Sequence, residues 1–208
     1  GTTKAITVAG YTLSGTKAGN YTVSQPTGLT GNITAKPLTV SGAVVTTKTY
    51  DTTTAATISG ATLVGVVSGD TVTLTNATIG TFASANAGTG ISVTTSFGIS
   101  GADAGNYTIS QPTISGDIIK ANPSFTPSSI TISVGGTATI TSNSTGAMSF
   151  SSVNTTIATV GASSGVVTGV AAGSTTISVT QLADSNYNAG TTTVSVVVST
   201  IVYVSGDY

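Results

Sequence analysis

Ile130-Thr131-Ile132-Ser133-Val134-Gly135-Gly136 decides the fold. Apolar and hydroxyl residues alternate, then two glycines stop the run. That period of two puts Ile130, Ile132 and Val134 on one face of a strand, with the polar residues on the other. The pattern recurs downstream: Ala138 and Ile140, Met148 and Phe150, Ile157 and Val160, Val167 and Val170, Ile177 and Val179, then Val194, Val196 and Val198. Turn signals divide the runs at Gly135-Gly136, Ser144-Thr145-Gly146, Ser163-Ser164-Gly165 and Ala172-Gly173. About seven short strands in roughly 80 residues predict a two-sheet sandwich over 121–199. Ahead of it, Asn122-Pro123-Ser124-Phe125-Thr126-Pro127 reads as a stiff, extended linker.

Upstream the chain repeats itself. Gly19-Asn20-Tyr21-Thr22-Val23-Ser24-Gln25-Pro26-Thr27 returns 86 residues later as Gly105-Asn106-Tyr107-Thr108-Ile109-Ser110-Gln111-Pro112-Thr113. Tyr11-Thr12-Leu13-Ser14-Gly15 likewise pairs with Phe97-Gly98-Ile99-Ser100-Gly101, and Asn32-Ile33 loosely with Asp117-Ile118. The expected organisation is the final half of one unit over 1–35, a complete unit over 36–120, the sandwich over 121–199, and the start of a further strand or domain over 200–208. On that reading the chain is a section of a longer tandem array. Strands in the complete unit are expected around Leu38/Val40, Ile58, Leu63, Val72/Leu74, Ile79/Phe82, Ile91/Val93, Phe97/Ile99 and Tyr107/Ile109, with no helix of useful length. The predicted class is all-β, as tandem immunoglobulin-like β-sandwich modules in a linear array.

Composition agrees and excludes several functions. Charged residues make up 5% of the 208, all five basic ones being Lys and all six acidic ones Asp. Thr is about a fifth of the chain, and with Val it favours pleated, half-buried strands. A net charge of −1 offers no electrostatic footprint for nucleic acid. The longest apolar runs fall far short of a membrane span of roughly 20 residues, so this segment is not expected to insert in a bilayer. His and Cys are absent, which removes the usual nucleophile–base pairs. The scattered Asp sit at turn signals, where they bond nearby backbone N–H groups. No Asp-x-Asp cluster offers the several carboxylates that Ca²⁺ prefers, and Lys17 stands where Asp103 stands in the later unit. The chain is read as a non-enzyme with no cofactor, no catalytic residue and no metal ligand. An isopeptide cross-link needs a Lys near Asn or Asp and a buried acid; Lys48 and Asp51 are close in sequence, but residues 121–199 contain no Lys, and no such link is expected. Asn20-Tyr21 and Asn106-Tyr107 are expected to be structural, each ring packing on a strand while its hydroxyl meets backbone, as in a tyrosine corner.

Two family resemblances follow from particular stretches. Lys48-Thr49-Tyr50-Asp51-Thr52-Thr53 resembles the Tyr-Asp-Gly-Thr-Thr signature of the YDG repeat family, with Thr52 in place of the family's Gly, which leaves the turn there open. Leu63–Asp70, Gly80–Ala83, Asn86–Gly90 and Ser100–Tyr107 are similar to the same family. Residues 121–199 resemble the group 2 bacterial immunoglobulin-like domain, through Ile132–Gly135, Ser152–Val160 and Gly165–Gly173. Asp184-Ser185-Asn186-Tyr187-Asn188 resembles a variant found in Bacteroidota surface proteins. Together these look like the very large SprB-type gliding adhesins of that phylum. The resemblance implies type IX secretion, display on the bacterial outer surface, and contact with secretion or motility machinery. Asp51-Thr52-Thr53 and Asp70-Thr71-Val72 resemble an O-glycosylation acceptor of that phylum, which makes Thr52 and Thr71 candidate glycan sites.

The function expected is that of a stalk, each module touching neighbouring repeats of the same chain and projecting a distal binding region whose ligand lies elsewhere. A directly carbohydrate- or protein-binding module, and a non-catalytic accessory region of a large secreted enzyme, are the alternatives.

Overall fold

The computed structural model describes residues 1–200, and the strand expected over 201–204 lies outside them. The fold is all-β, built of small sheets that pack as sandwich modules. The helical residues are two three-residue 3-10 turns, Ala18–Asn20 and Ala104–Asn106. Contacts group the chain in two interleaved units. One takes in residues 1–44, 58–80 and 95–113, and the other 45–57, 81–94 and the chain from Ile114 onward.

In the first unit, Lys36–Ser41 is the centre of a three-stranded sheet. It pairs in parallel with Tyr107–Ile109 and antiparallel with Thr62–Val64. Gly98–Ser100 and Thr73–Thr75 form a separate antiparallel pair. Leu38, Ile58, Phe97 and Tyr107 are buried. A shorter antiparallel ladder joins Lys4–Ala5 to Thr30–Gly31.

The second unit holds most of a six-stranded sheet, ordered Val44–Val45, Ala55–Ser59, Ile79–Phe82, Gly88–Thr95, Ile114–Ile119, Lys48–Thr49. Val45, Ala56, Ile58, Phe82, Val93 and Ile118 are the sheet's buried apolar residues. Val44–Val45, Lys48–Thr49 and Ile114–Ile119 were not among the strands that alternation predicts. The first two are only two residues long, too short for a period to show.

Downstream, the same unit contains two sheets that share one core. The first runs Ser129–Ser133, Gly190–Ser199, Gly173–Gln181, Met148–Ser152; the second runs Thr137–Thr139, Val166–Gly169, Ala158–Val160. Ile130, Phe150, Ile177, Val179, Val194, Val196 and Val198 from the first sheet meet Ala158 and Val167 from the second, with Ile140 between runs. Thr191, Thr193, Ser195, Val197 and Ser199 take the outward positions of Gly190–Ser199, while Val194, Val196 and Val198 are nearly fully buried. Two expectations fail in this region. Val134 and Val170 are exposed, because their strands end one residue earlier, at Ser133 and Gly169. The supposed linker is part of the sandwich: Phe125–Thr126 pairs antiparallel with Thr141–Ser142, and Phe125 packs against the core.

Candidate functional site

Two turns between residues 48 and 107 gather polar groups around Asp103 and Asp51. In the first, Asn106 donates its N–H to Asp103 O and Ala104 donates to Gly101 O, closing the 3-10 turn that delivers Tyr107. The Tyr107 ring is buried. Its hydroxyl donates to Asp70 Oδ2 at 2.5 Å and accepts from the Val67 N–H at 3.1 Å. Asp70's hydrogen bond, with burial, holds that phenol above its ordinary range, and the charge of Asp103 adds to this. Asp103 Oδ2 accepts the Thr71 N–H at 2.8 Å. Both carboxylates are thus engaged in fixing the loop that leads to Thr71. The matching turn at Ala18–Asn20 has the same bonds, Ala18 N–H to Gly15 O and Asn20 N–H to Lys17 O. Tyr21, which follows it, is 71% exposed. Asn20 and Asn106 are exposed as well.

The second turn follows the Lys48–Thr49 strand. Lys48 Nζ lies 2.7 Å from Asp51 Oδ1 and donates to Thr53 O, Thr53 Oγ1 and Ala55 O. Asp51 Oδ1 also accepts from the N–H and hydroxyl of Thr53. The Lys48 hydrogen bond first, then those of Thr53, hold the Asp51 carboxyl down to about 2. The ammonium sits 5.9 Å from the centre of the Phe82 ring. This is a polar turn with its donors in use, and the Asp51 side chain is half exposed.

Thr52 lies at the tip with φ +69°. The turn therefore has the left-handed backbone that a Gly would supply without strain, although the sequence carries a β-branched residue there. Replacing Thr52 with Gly is expected to stabilise the chain by about 1 kcal/mol in urea unfolding; a loss of stability would show that the turn does not strain Thr52. Thr52 and Thr71 are both exposed.

Asp117 and Asp184 serve the backbone too. Asp117 Oδ1 accepts the Gly90 N–H at 2.8 Å. Asp184 accepts from the N–H groups of Asn186 and Tyr187 on Oδ1, and from Thr145 N–H, Thr145 hydroxyl and Ser144 hydroxyl on Oδ2. Desolvation raises this carboxyl, but the bonds from Asn186, Thr145 and Tyr187 outweigh it and hold it well below the usual carboxylate range. Among the described residues no three Asp side chains gather, and no helix is long and apolar enough to cross a membrane. Alternation gave no sign of Gln181, a fully buried amide whose Nε2 donates to Ser144 O and Gly146 O and whose Oε1 accepts from Ser142 Oγ.

Residues 34–116 match the YDG domain. No curated protein sequence matches the chain. Among solved structures, Drosophila N-cadherin EC1-3 is similar over 82% of this chain and 70% of that one, at 9% identity and a TM-score of 0.34. A C-terminal 282-residue fragment of intimin, in complex with the intimin-binding domain of the translocated intimin receptor, is 18% identical over 74% of this chain and 62% of that one, TM-score 0.31. Domains 4–9 of the surface layer protein SbsC are 18% identical, covering 81% of this chain and 31% of theirs, TM-score 0.32.

Proposed function

We propose that the chain is a spacer segment of a large cell-surface protein, a stalk that carries a distal binding region away from the cell. The observation that carries this reading is a repeated device at a spacing of 86 residues. Gln25 bonds both backbone groups of Tyr11, accepting its N–H at 3.3 Å and donating to its C=O at 2.9 Å. Gln111 does the same to Phe97, at 2.9 and 2.8 Å. A bond set that returns in register is the mark of a stacked building block, since each copy is built for its neighbours.

The proposed layout is a half repeat over 1–35, a complete YDG-type repeat over 36–120 and a group 2 bacterial immunoglobulin-like module over 121–199. The motif set supports an SprB-type gliding adhesin of the Bacteroidota, exported by type IX secretion and displayed outside the outer membrane. Among the described residues the carboxylates are spent on turns, and the chain lacks His and Cys, which supports a non-enzymatic role. Exposed Thr52 and Thr71 are the proposed glycan sites. Intact mass of native material is expected to exceed that of the polypeptide, and equality would remove that assignment.

The spacer reading is tested by presenting the 208-residue chain to glycan and extracellular-protein arrays. No saturable binding is expected. Specific, saturable binding to one sugar or protein would replace the spacer with a recognition module.

A further inference from the structure

Asp184-Ser185-Asn186-Tyr187-Asn188 makes contacts that a connecting loop does not need. Asn186 Oδ1 accepts the Ala87 N–H at 2.9 Å, and its Nδ2 donates to Asn86 Oδ1 at 3.1 Å. These partners are 99 and 100 residues away in sequence. The Tyr187 ring meets Tyr50 edge to face, centroids 5.4 Å apart. Lys120 Nζ donates to Asp184 O at 2.5 Å. Ala121 and Tyr187 form a parallel bridge, with Ala121 N–H to Asn186 O at 3.0 Å and Asn188 N–H to Ala121 O at 2.8 Å. All these residues belong to the second contact unit.

The bonds at Lys120 and Ala121 follow from chain connection alone, because those residues lead into the sandwich. Those to Asn86, Ala87 and Tyr50 do not. Three separate segments converge on one loop, and the amide of Asn186 uses a donor and an acceptor at once. The loop is shaped beforehand. Asp184 ties Asn186 and Tyr187 to the Ser144–Thr145 turn through both its oxygens. Fixing a contact loop in advance lowers the entropy lost when it docks.

We propose that the Asp184–Asn188 loop is a coupler that holds the sandwich against the Asn86–Ala87 loop and Tyr50 of the preceding repeat, so that the joint is fixed and not a hinge. Its partner is a YDG-type repeat in the same chain, recognised by an exposed main-chain N–H, a side-chain amide beside it and an aromatic ring. The inference deepens the spacer reading and rests on it only for its purpose, which is to keep a stalk from folding at this joint.

Residual dipolar couplings of the 208-residue chain test it. Amides of 88–94 and 114–119 are expected to share one alignment tensor with amides of 173–199. In the Asn186→Ala, Tyr187→Ala double variant the two sets are expected to need different tensors. Two tensors in the unaltered chain, or a single tensor in the folded double variant, would overturn the coupler. Should that variant unfold the sandwich, Asn86→Ala leaves the sandwich sequence intact and must still separate the tensors; a single tensor there overturns the coupler. Exchange of the Ala87 amide is a further readout, expected to quicken about tenfold in Asn186→Ala as its acceptor is lost, with no change counting against the proposal. A chain that binds a sugar but keeps one tensor loses the spacer reading and keeps the coupler. A chain with two tensors and no ligand does the reverse.

Discussion

Phe97→Ala is expected to destabilise the chain by about 3–5 kcal/mol, while Tyr11→Ala changes stability by no more than about 0.5 kcal/mol. The two positions are equivalents 86 residues apart, and a Gln side chain clamps the backbone of each. Local structure is therefore the same, and what differs is cover. Phe97 is 3% exposed and Tyr11 57%. The glycine four residues on repeats the contrast. Gly15 and Gly101 have φ of +114° and +121°, but a Cβ on Gly15 would meet nothing within 4 Å, whereas one on Gly101 would press on Thr71 O. Removing an aromatic ring costs free energy when neighbours are left around a void, and very little when water already surrounds it. Because the chain contains more than one packed unit, a single unfolding midpoint can mislead. Amide exchange in Tyr107–Ile109 reads the loss locally: it should quicken strongly in Phe97→Ala and not in Tyr11→Ala. Equal effects would mean that cover does not set the cost at this position.

How far the sequence foretold these features depends on how local their causes are. Val194, Val196 and Val198 alternate with polar or outward residues, and that period alone places them inside. The repeat was legible because the Gln clamp and its partner both lie within one short stretch, fourteen residues apart. Asn122–Pro127 misled for the opposite reason. Its two prolines and polar residues describe a linker locally, but Phe125 finds the core through a strand at Thr141–Ser142, and nothing near Phe125 announces that pairing. Thr52 left its turn open for a different reason. A β-branched residue argues against positive φ, yet Asp51, Lys48 and Thr53 bond one another so fully that the turn keeps it. The coupler was hidden for the same reason as Phe125: Asn186 and Asn86 are ordinary polar residues until the fold brings them together.

Gln181→Met is expected to cost about 3–5 kcal/mol, although the two side chains are close in size. Gln181 continues the inward period of Ile177 and Val179, so an amide stands where alternation calls for an apolar group. It is fully buried, and each of its polar atoms is used. Methionine would fill the space and leave Ser144 O and Gly146 O without their donor and the Ser142 hydroxyl without its acceptor. Each unsatisfied buried group costs about 1–3 kcal/mol, far more than the net gain from making one bond. The segment cannot easily draw back to reach water. A Cβ on Gly146 would collide with Leu182 O, so the two segments already pass at glycine distance. Ser142→Ala leaves both carbonyls satisfied but takes the donor from Gln181 Oε1 and the acceptor from the Ser144 N–H, so it should cost less than Gln181→Met, about 1–3 kcal/mol. Urea unfolding of the two variants separates the causes. A large loss for Gln181→Met beside a smaller one for Ser142→Ala assigns the stability to the capped carbonyls. Losses below about 1 kcal/mol for both would mean that water reaches Ser144 O and Gly146 O once the amide is gone. The same carbonyls belong to the turn that Asp184 grips, so Gln181 holds from within the loop that Asp184 shapes from outside.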